Sequence, residues 1–371
     1  MRSDICDRLD IEFPLFAFSH CRDVVAAVSK AGGYGVLGAL AFSPDQLEQE
    51  LTWIDEHVGG KPYGVDFAMP EKFVGKGEDF ELPDLEALIP EEHREFAEHI
   101  LAEHDVPPMP EGLEGPTIAP GLGVDQMGPA QVHQALQHPV SMLVNALGPP
   151  PDYAVDAAHS AGVLVGALCG SPRHAERNVE RGVDVLIAQG TEAGGHCGEI
   201  STMVLVPEVV DAVPADVPVL AAGGIGRGRQ MAAAMALGAQ GAWTGSIWLT
   251  VAESDTRPWV VENLLEASWG DTVRSRAMTG KPARQLRTDW TEAWESSEGP
   301  GPLPMPLQGI IYAESAHRFT RAQNKALSGS PVGQIVGNMN AVRSTRDVVF
   351  DIVEEWIAVT EAQAARLHDA S

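Results

Sequence analysis

The residues best suited to chemistry in this 371-residue chain fall in three glycine-rich segments. The first reads Gln189-Gly190-Thr191-Glu192-Ala193-Gly194-Gly195-His196-Cys197-Gly198. Histidine has an unperturbed pKa close to neutrality, so His196, released from steric crowding by the glycines before it, is a candidate general base. The alternative is a structural histidine, one of 12 in the chain. Glu192 is either a second acid/base group or a cap for the loop. Cys197 is either a reactive thiol or a small filler. The other two segments are Ala221-Ala222-Gly223-Gly224-Ile225-Gly226 and Trp243-Thr244-Gly245-Ser246. Glycine lets backbone N–H groups approach a ligand with no Cβ in the way. A single such loop would merely end a strand and start a helix. Two of them on neighbouring strands, with a hydroxyl at Ser246, favour a phosphate cradle made of Gly223, Gly224, Gly245 and Ser246.

These segments need elements to hold them. Short apolar runs at 13–18, 34–40, 63–69, 140–145, 163–169, 184–189, 217–222 and 241–245 predict strands. Stretches with helical spacing alternate with them, at 23–31, 153–161, 172–181, 202–213 and 228–237. Another helix starts after Ser43 as N-cap with Pro44 at its first position. Eight βα units imply an all-parallel sheet, and over about 250 residues they suggest a closed (β/α)8 TIM barrel, with a doubly wound open sheet as the runner-up. In a barrel all three glycine segments come to the C-terminal ends of strands, where barrel active sites form. The pattern breaks at about 70–123, which is rich in Pro, Glu and Asp and carries one helix at 91–103. It reads as an insertion after the third strand, either a solvated acidic loop or a lid. The division expected is a barrel over 1–254 and a mainly helical extension over 255–371, with helices near 259–268 and 346–367 and only weak strand signals.

Composition removes other classes. Lys and Arg number 25 against 52 Asp and Glu, a net charge of −27. Such a chain lacks the cationic face that nucleic acids and anionic membranes require. A bound phosphate would therefore rely on backbone dipoles and helix N-termini. Four scattered cysteines make neither a disulfide framework nor a zinc site. No apolar run is long enough to span a membrane, and the N-terminus does not read as a signal peptide. The expectation is a cytoplasmic protein acting on a small molecule, with no metal; a homodimer is compatible with it.

The segment GTEAGGHCG, preceded by DVLIAQ, resembles the signature of the nitronate monooxygenase family, formerly called 2-nitropropane dioxygenases. VPVLAAGGIGRGRQMAAAMALGAQGAWTGSIWL resembles the family's next block, VVAAVSKAGGYGVLGA its first helix and second strand, and SRAMTGKPARQLRTDW a block beyond the barrel strands. The resemblance implies an FMN-binding barrel. Gly223, Gly224, Gly245 and Ser246 would hold the FMN phosphate, with Ser246 in place of the usual Thr. Gln189, Ala193, Gly194 and Gly195 would line the isoalloxazine. His196 matches the histidine that takes a proton from a nitroalkane carbon.

The chain departs from that pattern in ways that bear on substrate. Where the family has Ala-Pro-Met after the first strand, this sequence has Phe18-Ser19-His20-Cys21. Ser19 and His20 are therefore candidate pocket residues. Asp66 stands after the third strand where Asn is common, and as a carboxylate it would repel anionic substrates such as nitronates. Two flavin functions follow: a nitronate or nitroalkane monooxygenase using O2, or an NAD(P)H oxidoreductase acting on a quinone, an enoyl-thioester or a CoA-linked substrate. A flavin-free barrel binding a sugar phosphate is a third reading, which the GGH segment does not require.

Overall fold

The computed structural model describes residues 3–40, 42–69, 82–110 and 124–368. Eight parallel strands close into a barrel. They are β1 (Leu15–Ser19), β2 (Tyr34–Gly38), β3 (Tyr63–Phe67), β4 (Met142–Asn145), β5 (Leu164–Cys169), β6 (Val185–Gln189), β8 (Val219–Ala222) and β9 (Gly241–Thr244), in that order around the ring. Closure comes from β1 and β9, with Phe16 opposite Trp243. A further strand, β7 (Gly195–His196), lies outside the ring. The predicted strands agree with the barrel strands to within a few residues, and the closed ring replaces the open-sheet alternative.

The strands are apolar on both faces because both are covered. Inside the ring, Phe16, Tyr34, Met142, Ile187, Leu220 and Trp243 form one buried cluster. The first helix, α1 (Asp4–Leu9), stoppers its lower end with Ile5, Cys6 and Leu9. Outside run α2 (Arg22–Lys30), α3 (Pro44–His57), then α4 (Leu82–Ala87), α5 (Glu91–Glu103) and α6 (Val124–Ala135) between β3 and β4, then α7 (Asp152–Ser160), α8 (Pro172–Glu180), α9 (Thr202–Ala212) and α10 (Gly228–Ala236). Ser43 caps α3 through a reciprocal box with Gln46, and Pro44 opens it, as the sequence predicted.

Beyond the barrel come α11 (Pro258–Glu266), β10 (Thr272–Ser275), β11 (Ala283–Leu286), α12 (Asp289–Glu295), α13 (Leu307–Arg321) and α14 (Thr345–His368). Gly228 is needed where α14 crosses α10, because a Cβ there would stand 2.2 Å from the Ile352 carbonyl. Two features depart from the sequence reading. First, β10 and β11 are strands in a segment expected to be mainly helical with only weak strand signals, and β11 pairs antiparallel with β7. Their signal is weak because each is only four residues long, and the sheet they form is completed by β7, distant in sequence. Second, the described part of the insertion is not a solvated loop. Leu85, Ile89, Ala97, Ile100 and Leu101 are buried against Trp290, Trp294, Ile310 and Phe319, forming a second core with α12 and α13. The acidic residues of α5 lie on its other face, so composition alone hid its apolar stripe. Positions 70–81 and 111–123 of the expected insertion lie outside the described residues.

Candidate active site

At the C-terminal ends of the barrel strands lies a cavity of about 510 Å³, within the size range of small-molecule and cofactor sites. Ser19, His20, Asp66, Gln189, Ala193, Gly194, Gly195, His196, Gly223, Gly224, Gly245 and Ser246 all line it. Its wall is mostly apolar, with Phe18, Leu40, Leu168, Met278 and Ile335 among the contributors. The charged side chains among its described lining residues are carboxylates, from Asp66, Glu192 and Asp255; none is Lys or Arg.

The loop after β6 folds back on itself and carries His196 into β7. In that strand His196 faces Ala283 of β11, and Gly195 faces Arg284. The imidazole Nε2 is 3.5 Å from the Thr279 hydroxyl, which donates to the Lys281 carbonyl at 3.3 Å. Nδ1 is buried and lacks a well-aligned hydrogen-bond partner among the described residues. Burial pushes the pKa of His196 below the ordinary histidine value; the Pro282 carbonyl partly opposes this and the charge of Lys281 adds to it. At neutral pH the ring is therefore an unprotonated base.

Arg284 secures this loop. It is buried, its Nε donates to the Thr191 carbonyl at 2.7 Å, and its Nη1 donates to Thr272 Oγ1 at 3.2 Å. Glu192 serves as the cap: its Oε2 accepts the Thr202 N–H and lies within hydrogen-bond reach of the Thr202 hydroxyl, each at 2.9 Å. Those carboxylate oxygens are engaged at the N-terminus of α9, which favours negative charge. The Cys197 thiol is 3.6 Å from the Thr191 carbonyl and burial raises its pKa, so it is a filler and not a ready nucleophile.

The loops after β8 and β9, together with Gly195, offer backbone to the cavity. Gly223 and Gly224 have φ of +100° and +71°, a conformation that side-chain-bearing residues rarely adopt. A Cβ on Gly195 would meet nothing within 4 Å, and one on Gly245 only Phe18 Cδ1 at 3.9 Å, so both present bare backbone. The Ser246 hydroxyl accepts the Gly333 N–H at 2.8 Å, a bond that leaves its own proton unused.

His20 donates from Nδ1 to the Gly38 carbonyl at 2.9 Å, which leaves Nε2 as the ring's open position. Only glycine fits at 38, since a Cβ would come within 2.6 Å of that ring. The Ser19 hydroxyl accepts the Cys21 N–H at 3.1 Å. Asp66 lies within β3 and not after it, is 4 % exposed, and has an Oδ1 with no partner among the described residues. Burial raises its pKa well above the carboxylate range. That shift favours the protonated form and weakens the repulsion of anions expected of the group.

The sequence reading missed Thr279, Arg284 and Gly333. The first two lie in the SRAMTGKPARQLRTDW block, which stood out as a motif without a role. Gly333 carried no signal, because its place beside Ser246 is decided by a contact across 87 positions.

The chain is 50% identical over 365 residues to a Mycobacterium tuberculosis protein named "Putative monooxygenase Rv1533", covering 96% of this chain and 97% of that one. It is 30% identical over 360 residues to a "Probable nitronate monooxygenase" of Staphylococcus saprophyticus, covering 92% and 95%. Among solved structures, the nitroalkane oxidase of Streptomyces ansochromogenes is similar at TM-score 0.79 and 26% identity, over 97% of this chain and 100% of that one. FabK of Thermotoga maritima is similar at TM-score 0.72 and 26% identity, over 99% of each chain. The family model for nitronate monooxygenase matches residues 6–355, so this chain belongs to the nitronate monooxygenase family and is an oxidoreductase.

Proposed function

We propose that the chain is an FMN-dependent monooxygenase that oxidises nitroalkanes, and the nitronates derived from them, to a carbonyl compound and nitrite with O2. The observation that carries this reading is His196, half-buried with its pKa lowered by desolvation, at the wall of a mostly apolar cavity that glycine backbone also lines. The site fits FMN. Gly223, Gly224, Gly245 and Ser246 would hold its phosphate through backbone groups and one hydroxyl, and Gln189, Ala193, Gly194 and Gly195 would lie along its ring. FMN, when bound, supplies the redox chemistry.

The chain's own part is proton transfer and exclusion of water. His196 takes the proton from the carbon bearing the nitro group, and Thr279, within reach of Nε2, orients the ring. Desolvation disfavours the imidazolium, so the base stays available through neutral pH. The apolar wall suits an uncharged nitroalkane, and its described lining residues offer no Lys or Arg as a counter-charge for an anionic substrate.

A His196→Asn variant tests the assignment. It should lose turnover of a neutral nitroalkane by about 10²–10⁴-fold, while turnover of the pre-formed nitronate, which needs no proton removed, falls far less. Equal losses on both substrates would overturn the role of His196. The likeness to FabK supports a second reading, an NAD(P)H-dependent reductase with the same FMN cradle. Anaerobic addition of NADH or NADPH to the FMN-loaded protein separates the two: bleaching of the visible flavin band favours the reductase, and no bleaching favours the monooxygenase.

A further inference from the structure

Asp66 has no task in the chemistry just described, yet it faces the same cavity. Its strand neighbours offer it nothing: the register puts Gly38 of β2 on one side and Val144 of β4 on the other. The titratable groups that share the cavity are His20 after β1, Glu192 and His196 after β6, and Asp255 before α11, with Lys281 behind His196. Glu192 is engaged by Thr202, and His20 is bonded to Gly38. Neither pairs with Asp66, whose shift has burial as its cause and no charged neighbour.

A carboxylate with no donor and no cation among the described residues, buried to 4 % exposure, bears the full desolvation cost of its charge. The protonated acid avoids that cost but gains an O–H that itself needs an acceptor. No described residue accepts it. The open side of Asp66 is the cavity, so the acceptor must come from whatever fills it.

We propose that Asp66 works as a neutral carboxylic acid whose O–H is donated to the FMN bound in the cavity, so that FMN binding is coupled to a proton held on this residue. The inference rests on the FMN reading above. Ionised Asp66 would offer only acceptor atoms and a buried negative charge to an anionic cofactor. FMN affinity therefore falls as pH rises above the point where Asp66 loses its proton in the flavin-free protein.

The test uses the full chain stripped of flavin and titrated with FMN by fluorescence quenching, from about pH 7 to about pH 9.5. Wild-type affinity should fall by up to about tenfold per pH unit above the pH at which infrared titration of the flavin-free protein shows Asp66 losing its proton. Asp66→Asn, neutral and of the same shape, should stay flat near the wild-type value at low pH. Lys281, whose pKa burial lowers, is present in both proteins. A decline shared by both therefore belongs to other groups and overturns the proposal, as does a flat wild-type profile. Infrared spectra give a second readout that needs no variant to fold. The flavin-free wild type near pH 7 should carry the carbonyl stretch of a buried protonated carboxylic acid, and its absence rejects the neutral state. Failure of FMN to bind at any pH would reject the FMN reading instead, with the infrared band still reporting on Asp66.

Discussion

The two walls of the cavity are held by contacts of different range. The cradle is the more local: Gly223-Gly224 follows β8 directly and Gly245-Ser246 follows β9, with the Thr202 hydroxyl on the Gly223 carbonyl and the Gly333 N–H on Ser246 as added ties. The wall carrying His196 is assembled. β7 is only two residues long, and β11 and Arg284, from almost ninety positions further on, hold it in place. A strand that short cannot order itself, since fixing each residue costs about 1–2 kcal/mol of conformational entropy. The difference teaches that a glycine loop can be part of a site by sequence position alone, whereas a general base needs a buttress. The C-terminal segment supplies that buttress.

Perturbations of the two walls should therefore differ in kind and in size. The largest effect belongs to His196→Asn, with the loss on neutral nitroalkane given above. Its wild-type counterpart is a pH profile. Because the folded pKa of His196 is lowered, kcat/KM on a neutral nitroalkane should stay level through neutral pH and fall only below about pH 6.5. An acid limb above that value would contradict the desolvated base.

Next comes the cradle. Gly223→Ala puts a side chain at φ +100° and brings a Cβ to 2.9 Å from Thr202 Oγ1 and 3.0 Å from the Gly190 carbonyl. At about 1–3 kcal/mol for such strain, FMN affinity should drop by about tenfold or more, read by fluorescence titration. The loss should leave the pH profile of turnover at saturating FMN unchanged. A change in that profile would show that the walls are not independent.

Arg284→Met should follow. It removes charged hydrogen bonds to Thr191 and Thr272, worth about 1.5–3 kcal/mol each before relaxation. Its signature is a lower Tm together with a lower kcat on nitroalkane, while FMN affinity, which the cradle glycines also sustain, falls less. Loss of FMN affinity equal to the loss of kcat would mean that β11 supports both walls.

The smallest effect lies far from the cavity and calibrates the rest. His138 bridges Asp55 at 2.7 Å and Glu48 at 2.9 Å. Burial opposes its charge, but the hydrogen bonds and charges of the two carboxylates outweigh burial and raise its pKa. A raised histidine contributes stability that is complete below its unfolded value, near pH 6.5, and is lost as pH rises through the folded value. Wild type should thus exceed His138→Gln in Tm by about 2 °C near pH 6, and the gap should narrow toward pH 8.5. A gap that widens with pH would reverse the sign.

Much of the molecule was legible in the residues. Eight apolar runs, the Ser43-Pro44 start of α3 and the helix at 91–103 are local patterns, set by side-chain spacing and capping chemistry. The three glycine segments were legible as a site for the same reason. β10 and β11 were not, because four-residue strands carry little pattern and depend on a partner. The apolar stripe of α5 was hidden by its acidic content until α12 and α13 gave it something to bury against.

The chain's sequence by itself determined the alternation of strand and helix, the positive-φ turns at Gly223 and Gly224, and the order in which His196 and the cradle follow their strands. Tertiary structure decided the protonation of the groups in the cavity. Burial lowers the pKa of His196 against the partial compensation of the Pro282 carbonyl, and raises that of Asp66, which has no charged neighbour among the described residues. Desolvation depends on neighbours brought together from the whole chain, and no local pattern of residues encodes it.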